Sequence, residues 1–173
     1  MAGHVILVGL PGAGKSTVGP LVARALGREF LDFDVEIARR EGRTVAQIFA
    51  DDGEERFRAL ERALTIELRR ALPMVLAPGG GWVTTAGSLE LLSPPGTVVY
   101  LAVSPAVALQ RMGEDVGSRP LLAGSDPETV LSNLLAHRHD SYLQANHTVS
   151  TDSLTPFEIA DRIVALAGVG TAD

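Results

Sequence analysis

The string GLPGAGKST, Gly9 to Thr17, follows the apolar run Val5 to Val8 and precedes a helical pattern. Few folds accommodate a glycine loop between a strand and a helix with this spacing, which fits GxxxxGK[ST] through Gly9, Gly14, Lys15 and Ser16. Gly12 and Gly14 let the backbone curl so that successive N–H groups point into one concavity, and the helix that follows adds the positive end of its dipole. Lys15 is the only lysine of the chain, and the other strongly basic side chains are all arginine. A composition that otherwise avoids lysine keeps one where it can reach the β- and γ-phosphates of a nucleotide, with Ser16 placed to hold Mg²⁺. A plain glycine-rich turn accounts for neither side chain.

Apolar runs and helical patterns alternate along all 173 residues. The predicted order is strand His4 to Val8, helix Lys15 to Leu26, strand Phe30 to Asp32, helices between Asp34 and Leu72, and strand Met74 to Ala77. It continues with a helix near Ala86 to Leu92, strand Thr97 to Val103, helix Pro105 to Met112, helix Pro127 to Asn146, strand His147 to Ser150 and helix Pro156 to Ala167. Strands separated by helices need βαβ crossovers, so the expected fold is α/β with three layers, a five-stranded parallel sheet covered by helices on both faces. The length fits one domain, 1–173. Gly113 to Asp126 is the longest irregular segment, rich in glycine and flanked by helices, and reads as a mobile lid. Residues 168–173 read as a frayed tail.

Composition narrows the chemistry. A formal net charge of −6 argues against nucleic acid or an anionic membrane as the main partner. Zero cysteines leave no disulfide, thiolate metal site or cysteine nucleophile, so carboxylates, arginines and Lys15 must do the work. No stretch approaches the roughly 20 apolar residues of a membrane span, and the N-terminus enters a strand without the features of a signal peptide. The expected compartment is the cytoplasm, and the expected state is a monomer.

In an open α/β sheet the ligand lies beyond the carboxyl ends of the strands. After the second predicted strand come Asp32, Phe33 and Asp34; Asp32 is the carboxylate expected near Mg²⁺, and Asp34, two residues on along an extended backbone, is expected to face an acceptor. Asp34 also fits a helix N-cap. Gly79, Gly80 and Gly81 after the third strand allow close approach to a ring-shaped ligand. Arg58 lies among apolar residues with Glu61 three positions on, Arg119 lies in the expected lid, and Arg138 precedes Tyr142 by one helical turn.

GLPGAGKST, LDFD, IFADDGEERFRALE, PGGG, RPLL and RHDSYLQA together resemble shikimate kinase over nearly the whole chain. The resemblance implies a nucleoside-monophosphate-kinase-like P-loop fold that transfers the ATP γ-phosphoryl group, with Mg²⁺, to the 3-hydroxyl of shikimate, giving shikimate 3-phosphate and ADP on the route to chorismate. It implies ATP contacts from Gly12, Ala13, Gly14, Lys15, Ser16, Thr17, Arg111 and the lid arginine Arg119, and Mg²⁺ ligation by Ser16 and Asp32. It places shikimate on Asp34, Arg58, Gly80, Gly81 and Arg138, with the segment 34–61 as the substrate-binding part, and makes Lys15, Asp34 and Arg119 the catalytic groups. Phe49 and Phe57 are expected to cover an apolar ring edge.

Two positions depart from the family pattern. Trp82 follows the glycines where relatives often carry a small residue, and is expected either to reshape the pocket wall or to pack outward, or, less interestingly, to sit in the core. In the first case its emission would report acceptor binding. Ser153 and Leu154 stand where relatives often place an arginine over adenine, and Arg111 fits equally well a place near adenine or an ordinary helix end. A kinase of gluconate or of a nucleoside monophosphate and a nucleotide-dependent switch are the rival readings; the chain carries no NKxD string, and the Arg58, glycine and Arg138 constellation disfavours another acceptor.

Overall fold

Val5–Val8 forms strand β1, and every residue of it is buried. A strand with no exposed position must be covered on both faces, which is the signature of a parallel sheet inside an α/β domain. The structure, a computed structural model, describes residues 3–118, 122 and 126–168. Its elements are β1, α1 (Lys15–Leu26), β2 (Phe30–Asp32), α2 (Phe33–Glu41), α3 (Val45–Leu68), β3 (Val75–Ala77), α4 (Ser88–Leu92), β4 (Thr97–Ala102), α5 (Pro105–Met112), α6 (Pro127–Tyr142), β5 (His147–Ser150) and α7 (Pro156–Gly168), with short 3₁₀ turns at Trp82–Thr84 and Gly113–Ser118. Among the described residues no helix is long and apolar enough to cross a membrane.

The sheet order is β2-β3-β1-β4-β5, and all four pairings are parallel. From β1 the chain runs to β2 at one edge, and from β4 to β5 at the other, so the loops at the carboxyl ends of β1 and β4 diverge and open a crevice. Helix α1 packs on β1, β2, β3 and α7. Its approach to β2 is close because Gly19 faces the Phe30 ring, where any Cβ would collide.

The boundaries differ from the sequence reading in ways that matter. Thr44 and Gln47 close a reciprocal capping box at the start of α3, and Gly53 (φ 82°, ψ 171°) interrupts that helix, so one long helical pattern is two pieces at an angle. The segment expected to be irregular from Gly113 onward opens as a 3₁₀ turn. Within the same segment Leu122 is buried in the core. Arg119 lies outside the described residues.

Candidate functional site

The loop between β1 and α1 carries its shape in its glycines. Gly12 has φ 80°, and a Cβ there would lie 2.5 Å from the Ala108 carbonyl oxygen of α5. Strain and steric exclusion therefore both demand glycine. Gly14 caps α1 in the left-handed region without a side-chain acceptor, so the helix begins beside the cavity with no side-chain cap on its first-turn N–H groups. Lys15 Nζ donates to the carbonyls of Gly9 (2.7 Å) and Leu10 (3.0 Å) and lies in the wall of a cavity of about 580 Å³.

The cavity runs from this loop past Asp32 and Asp34 to Gly79 and Gly80, and at its other end reaches Arg111, Met112, Leu154, Pro156 and Ile159. Ser16 Oγ donates to Asp32 Oδ2 at 2.5 Å. A hydroxyl and a carboxylate side by side at a phosphate loop are a donor set that suits Mg²⁺, which takes few protein oxygens and completes its shell with water and phosphate. Among the described residues there is no cluster of three or more histidine or acidic side chains that would hold a metal without phosphate.

Asp32, not Asp34, is the N-cap of α2: its Oδ1 accepts from the N–H groups of Asp34 (3.0 Å) and Val35 (3.3 Å). The capping role that the sequence offered to Asp34 is filled by its neighbour. Nor does Asp34 continue an extended strand; it sits in the first turn of α2, where the helix dipole favours a carboxylate, and lines the cavity.

Arg58 from α3 and Arg138 from α6 converge at the glycine loop. A Cβ on Gly80 would lie 2.8 Å from Arg138 Nη1, and one on Gly81 would meet Arg58 Nη2 and lie 3.2 Å from Arg138 Nη2. A side chain at Gly81 would displace the guanidinium groups from these positions. Glu61 orients Arg58, accepting from its Nη1 at 2.5 Å and from the Gly79 N–H at 3.2 Å. Burial raises the Glu61 carboxyl above the ordinary glutamate value, and Arg58 opposes it. Burial likewise works against the Arg58 charge, but Glu61 and Glu54 outweigh it and hold the guanidinium above the ordinary arginine value. Arg138 is 5% exposed, and among the described residues no carboxylate pairs with it.

The carbonyls of the glycine loop are all engaged. Gly79 O accepts from Trp82 N, Gly80 O from the Tyr142 hydroxyl at 2.9 Å, and Gly81 O from Thr84. Among the described residues the N–H groups of Gly80 and Gly81 have no acceptor, so these donors are what the loop presents. Tyr142 stacks on Tyr100 at 4.7 Å, and burial pushes its hydroxyl up to about 12, which keeps it a neutral donor.

Two sequence expectations need correction, and one left open is narrowed. Trp82 neither packs outward nor walls the pocket: it is 1% exposed, edge-on to Phe33, with its indole N–H donating to Thr65 Oγ1 at 2.9 Å. The loop turns into a 3₁₀ turn at this residue, and the largest side chain of the segment is drawn into the core. The emission of this single tryptophan is therefore expected to be that of a buried indole, to resist acrylamide quenching, and to change little on adding shikimate; a large saturable response would contradict the packing. Phe57 is also core, its ring tilted against that of Phe49 with centroids 4.9 Å apart and lying under Arg58 Cζ at 5.5 Å, so only half-buried Phe49 is left to face a ligand. Arg111 is no ordinary helix-end arginine, since it reaches the turn after β5 and donates to Thr151 Oγ1 (3.0 Å) and O (2.5 Å). Leu154, which the sequence placed where relatives carry an arginine, lines the apolar end of the cavity together with Pro156 and Ile159, which the sequence did not single out.

A central phosphate loop on a parallel 2-3-1-4-5 sheet, with two carboxylates and two arginines beside it, defines a P-loop kinase. The same architecture occurs in a gluconokinase from Sinorhizobium meliloti 1021, with a TM-score of 0.67 over 97% of this chain and 93% of that one, although only 21% of residues are identical. A family model described as shikimate kinase matches residues 11–167. The shikimate kinase of Synechococcus sp. (strain RCC307) is 43% identical over 93% of this chain and 82% of its own length. The structure of shikimate kinase from Acinetobacter baumannii in complex with shikimate superposes with a TM-score of 0.93 and 40% identity, covering all of this chain and 97% of that one. This chain belongs to the shikimate kinase family.

Proposed function

We propose that this chain transfers the γ-phosphoryl group of ATP to the 3-hydroxyl of shikimate, working as one domain, a monomer in the cytoplasm. The observation that carries the choice of acceptor is the buried Arg138 beside Arg58. A guanidinium this deep without a carboxylate among the described residues calls for an anion, and a planar carboxylate suits a fork of N–H donors. The N–H groups of Gly80 and Gly81 and the carboxylate of Asp34 then address ring hydroxyls.

In this reading Asp34 hydrogen-bonds the attacking hydroxyl and takes its proton as the new O–P bond forms, while the bond from the γ-phosphorus to the β,γ-bridging oxygen breaks and ADP leaves with its electron pair. The N–H groups of Gly12 to Thr17 and the Lys15 ammonium receive the charge of the donor's phosphates, and Arg119 adds a further positive charge by analogy with the family. Ser16 and Asp32 would hold Mg²⁺, which when bound offsets phosphate charge. Arg111 borders the nucleoside end, where Leu154 and Ile159 present apolar surface. Chemistry of this kind is mainly positioning and electrostatics.

Arg58→Ala and Arg138→Ala are each expected to weaken shikimate binding by roughly 1.5 to 3 kcal/mol, the scale of a charge-assisted hydrogen bond, with ATP binding nearly unchanged. Calorimetric titration of each ligand checks this. Unaltered shikimate dissociation constants in both variants would overturn the assignment.

A further inference from the structure

Trp82 takes part in a closed ring of hydrogen bonds that joins the glycine loop to α3. Gly79 N donates to Glu61 Oε1 (3.2 Å), the Thr65 hydroxyl donates to Glu61 O (2.7 Å), the indole Nε1 donates to Thr65 Oγ1 (2.9 Å), and Trp82 N returns to Gly79 O (3.0 Å). The two attachment points on α3, Glu61 and Thr65, are one helical turn apart, and those on the loop, Gly79 and Trp82, are three residues apart. Two separated attachments set the orientation of the loop as well as its distance. Because the Thr65 proton is committed to Glu61 O, the lone pair of the hydroxyl is turned to the indole; Thr65 is fully buried, so neither group has water as a substitute. The ring passes through Glu61, which holds Arg58, and the indole also meets Phe33, the residue between Asp32 and Asp34. Filling space alone would not require an indole N–H at this place.

We propose that Trp82 and Thr65 are positioning residues for the acceptor site: their hydrogen bond locks the Gly79–Gly81 loop against α3 and so sets the spacing between the loop N–H groups and the Arg58 guanidinium. The inference rests on the reading of Arg58 and the glycine loop as the acceptor's binding groups. Neither Trp82 nor Thr65 touches the ligand; both act through Glu61 and Gly79.

The test is steady-state kinetics with both substrates varied, on Thr65→Val, Thr65→Ser and Trp82→Phe. Thr65→Val keeps the volume and removes the hydroxyl, and is expected to raise the KM for shikimate roughly 3- to 10-fold, as a small misplacement of binding groups does, while kcat and the KM for ATP stay within about twofold. Thr65→Ser restores the hydroxyl and is expected to return the shikimate KM to the parent value. Trp82→Phe should share the Thr65→Val phenotype without adding to it in the double variant. If Trp82→Phe is too unstable to assay, the Val and Ser pair at position 65 decides alone, with melting temperatures measured on both. An unchanged shikimate KM in Thr65→Val, equal values for Val and Ser, or a parallel rise in the KM for ATP overturns the proposal. Arg58→Ala separates the two levels: if it weakens shikimate binding while Thr65→Val does not, only the positioning role fails, whereas if neither has an effect the acceptor reading fails first.

Discussion

Asp34→Asn is expected to lower kcat by about 10²- to 10⁴-fold, the usual contribution of a positioned general base, with little change in nucleotide affinity. The amide nearly preserves the shape of the carboxylate but can neither accept the proton nor carry its charge. The local structure makes this a clean experiment. Helix α2 is capped by Asp32, so changing Asp34 removes no capping bond. Asp32→Asn provides the contrast. Asparagine caps a helix as well as aspartate does, so α2 and Asp34 stay in place while the charge beside Ser16 is lost. The expected phenotype is a higher Mg²⁺ requirement rather than slow chemistry, whereas Asp32→Ala would lose the cap and blur the distinction. Single-turnover rates and Mg²⁺ titrations on both asparagine variants check the division of labour, and identical phenotypes would contradict it.

Lys15→Ala is expected to reduce kcat/KM by about 10²- to 10³-fold, comparable to removing one preorganised donor from a developing negative charge. Lys15→Arg is expected not to restore it. The ammonium is held between two carbonyls of its own loop, Gly9 O and Leu10 O, a compact arrangement that a planar guanidinium cannot reproduce. The composition allows a chemical version of the same test. The only other amine is the N-terminus, so amine acylation followed by mass spectrometry reports Lys15 almost in isolation, and Mg-ATP should protect it. Full modification of Lys15 with activity intact would sink the phosphate role.

The parts of the fold that were legible in the sequence are the ones encoded within a few residues. Helix α1 begins and ends where Gly14 and Gly27 adopt positive φ, and α5 begins where Ser104 and Pro105 supply a cap and an N1 proline, so both match their predicted limits. The break at Gly53 was not legible, because an apolar pattern continues on both sides of it and a lone glycine is tolerated in many helices. The assignment of the cap to Asp32 was missed for a related reason: Asp32 and Asp34 are both chemically competent, and the choice depends on where β2 stops.

What the sequence by itself determined is the phosphate loop and the alternation that requires a parallel sheet, and it named the charged groups proposed to meet the acceptor. Only the tertiary structure decided how they meet. Inserting β3 between β1 and β2 carries the Gly79–Gly81 loop to the side of the phosphate loop, and packing α3 and α6 around it brings Arg58 and Arg138, 80 positions apart in sequence, together at Gly81. The same packing turned Trp82 inward onto Thr65. Periodicity and capping act over one or two turns of chain, whereas strand order and the convergence of distant side chains follow from which buried faces fit together across the whole domain.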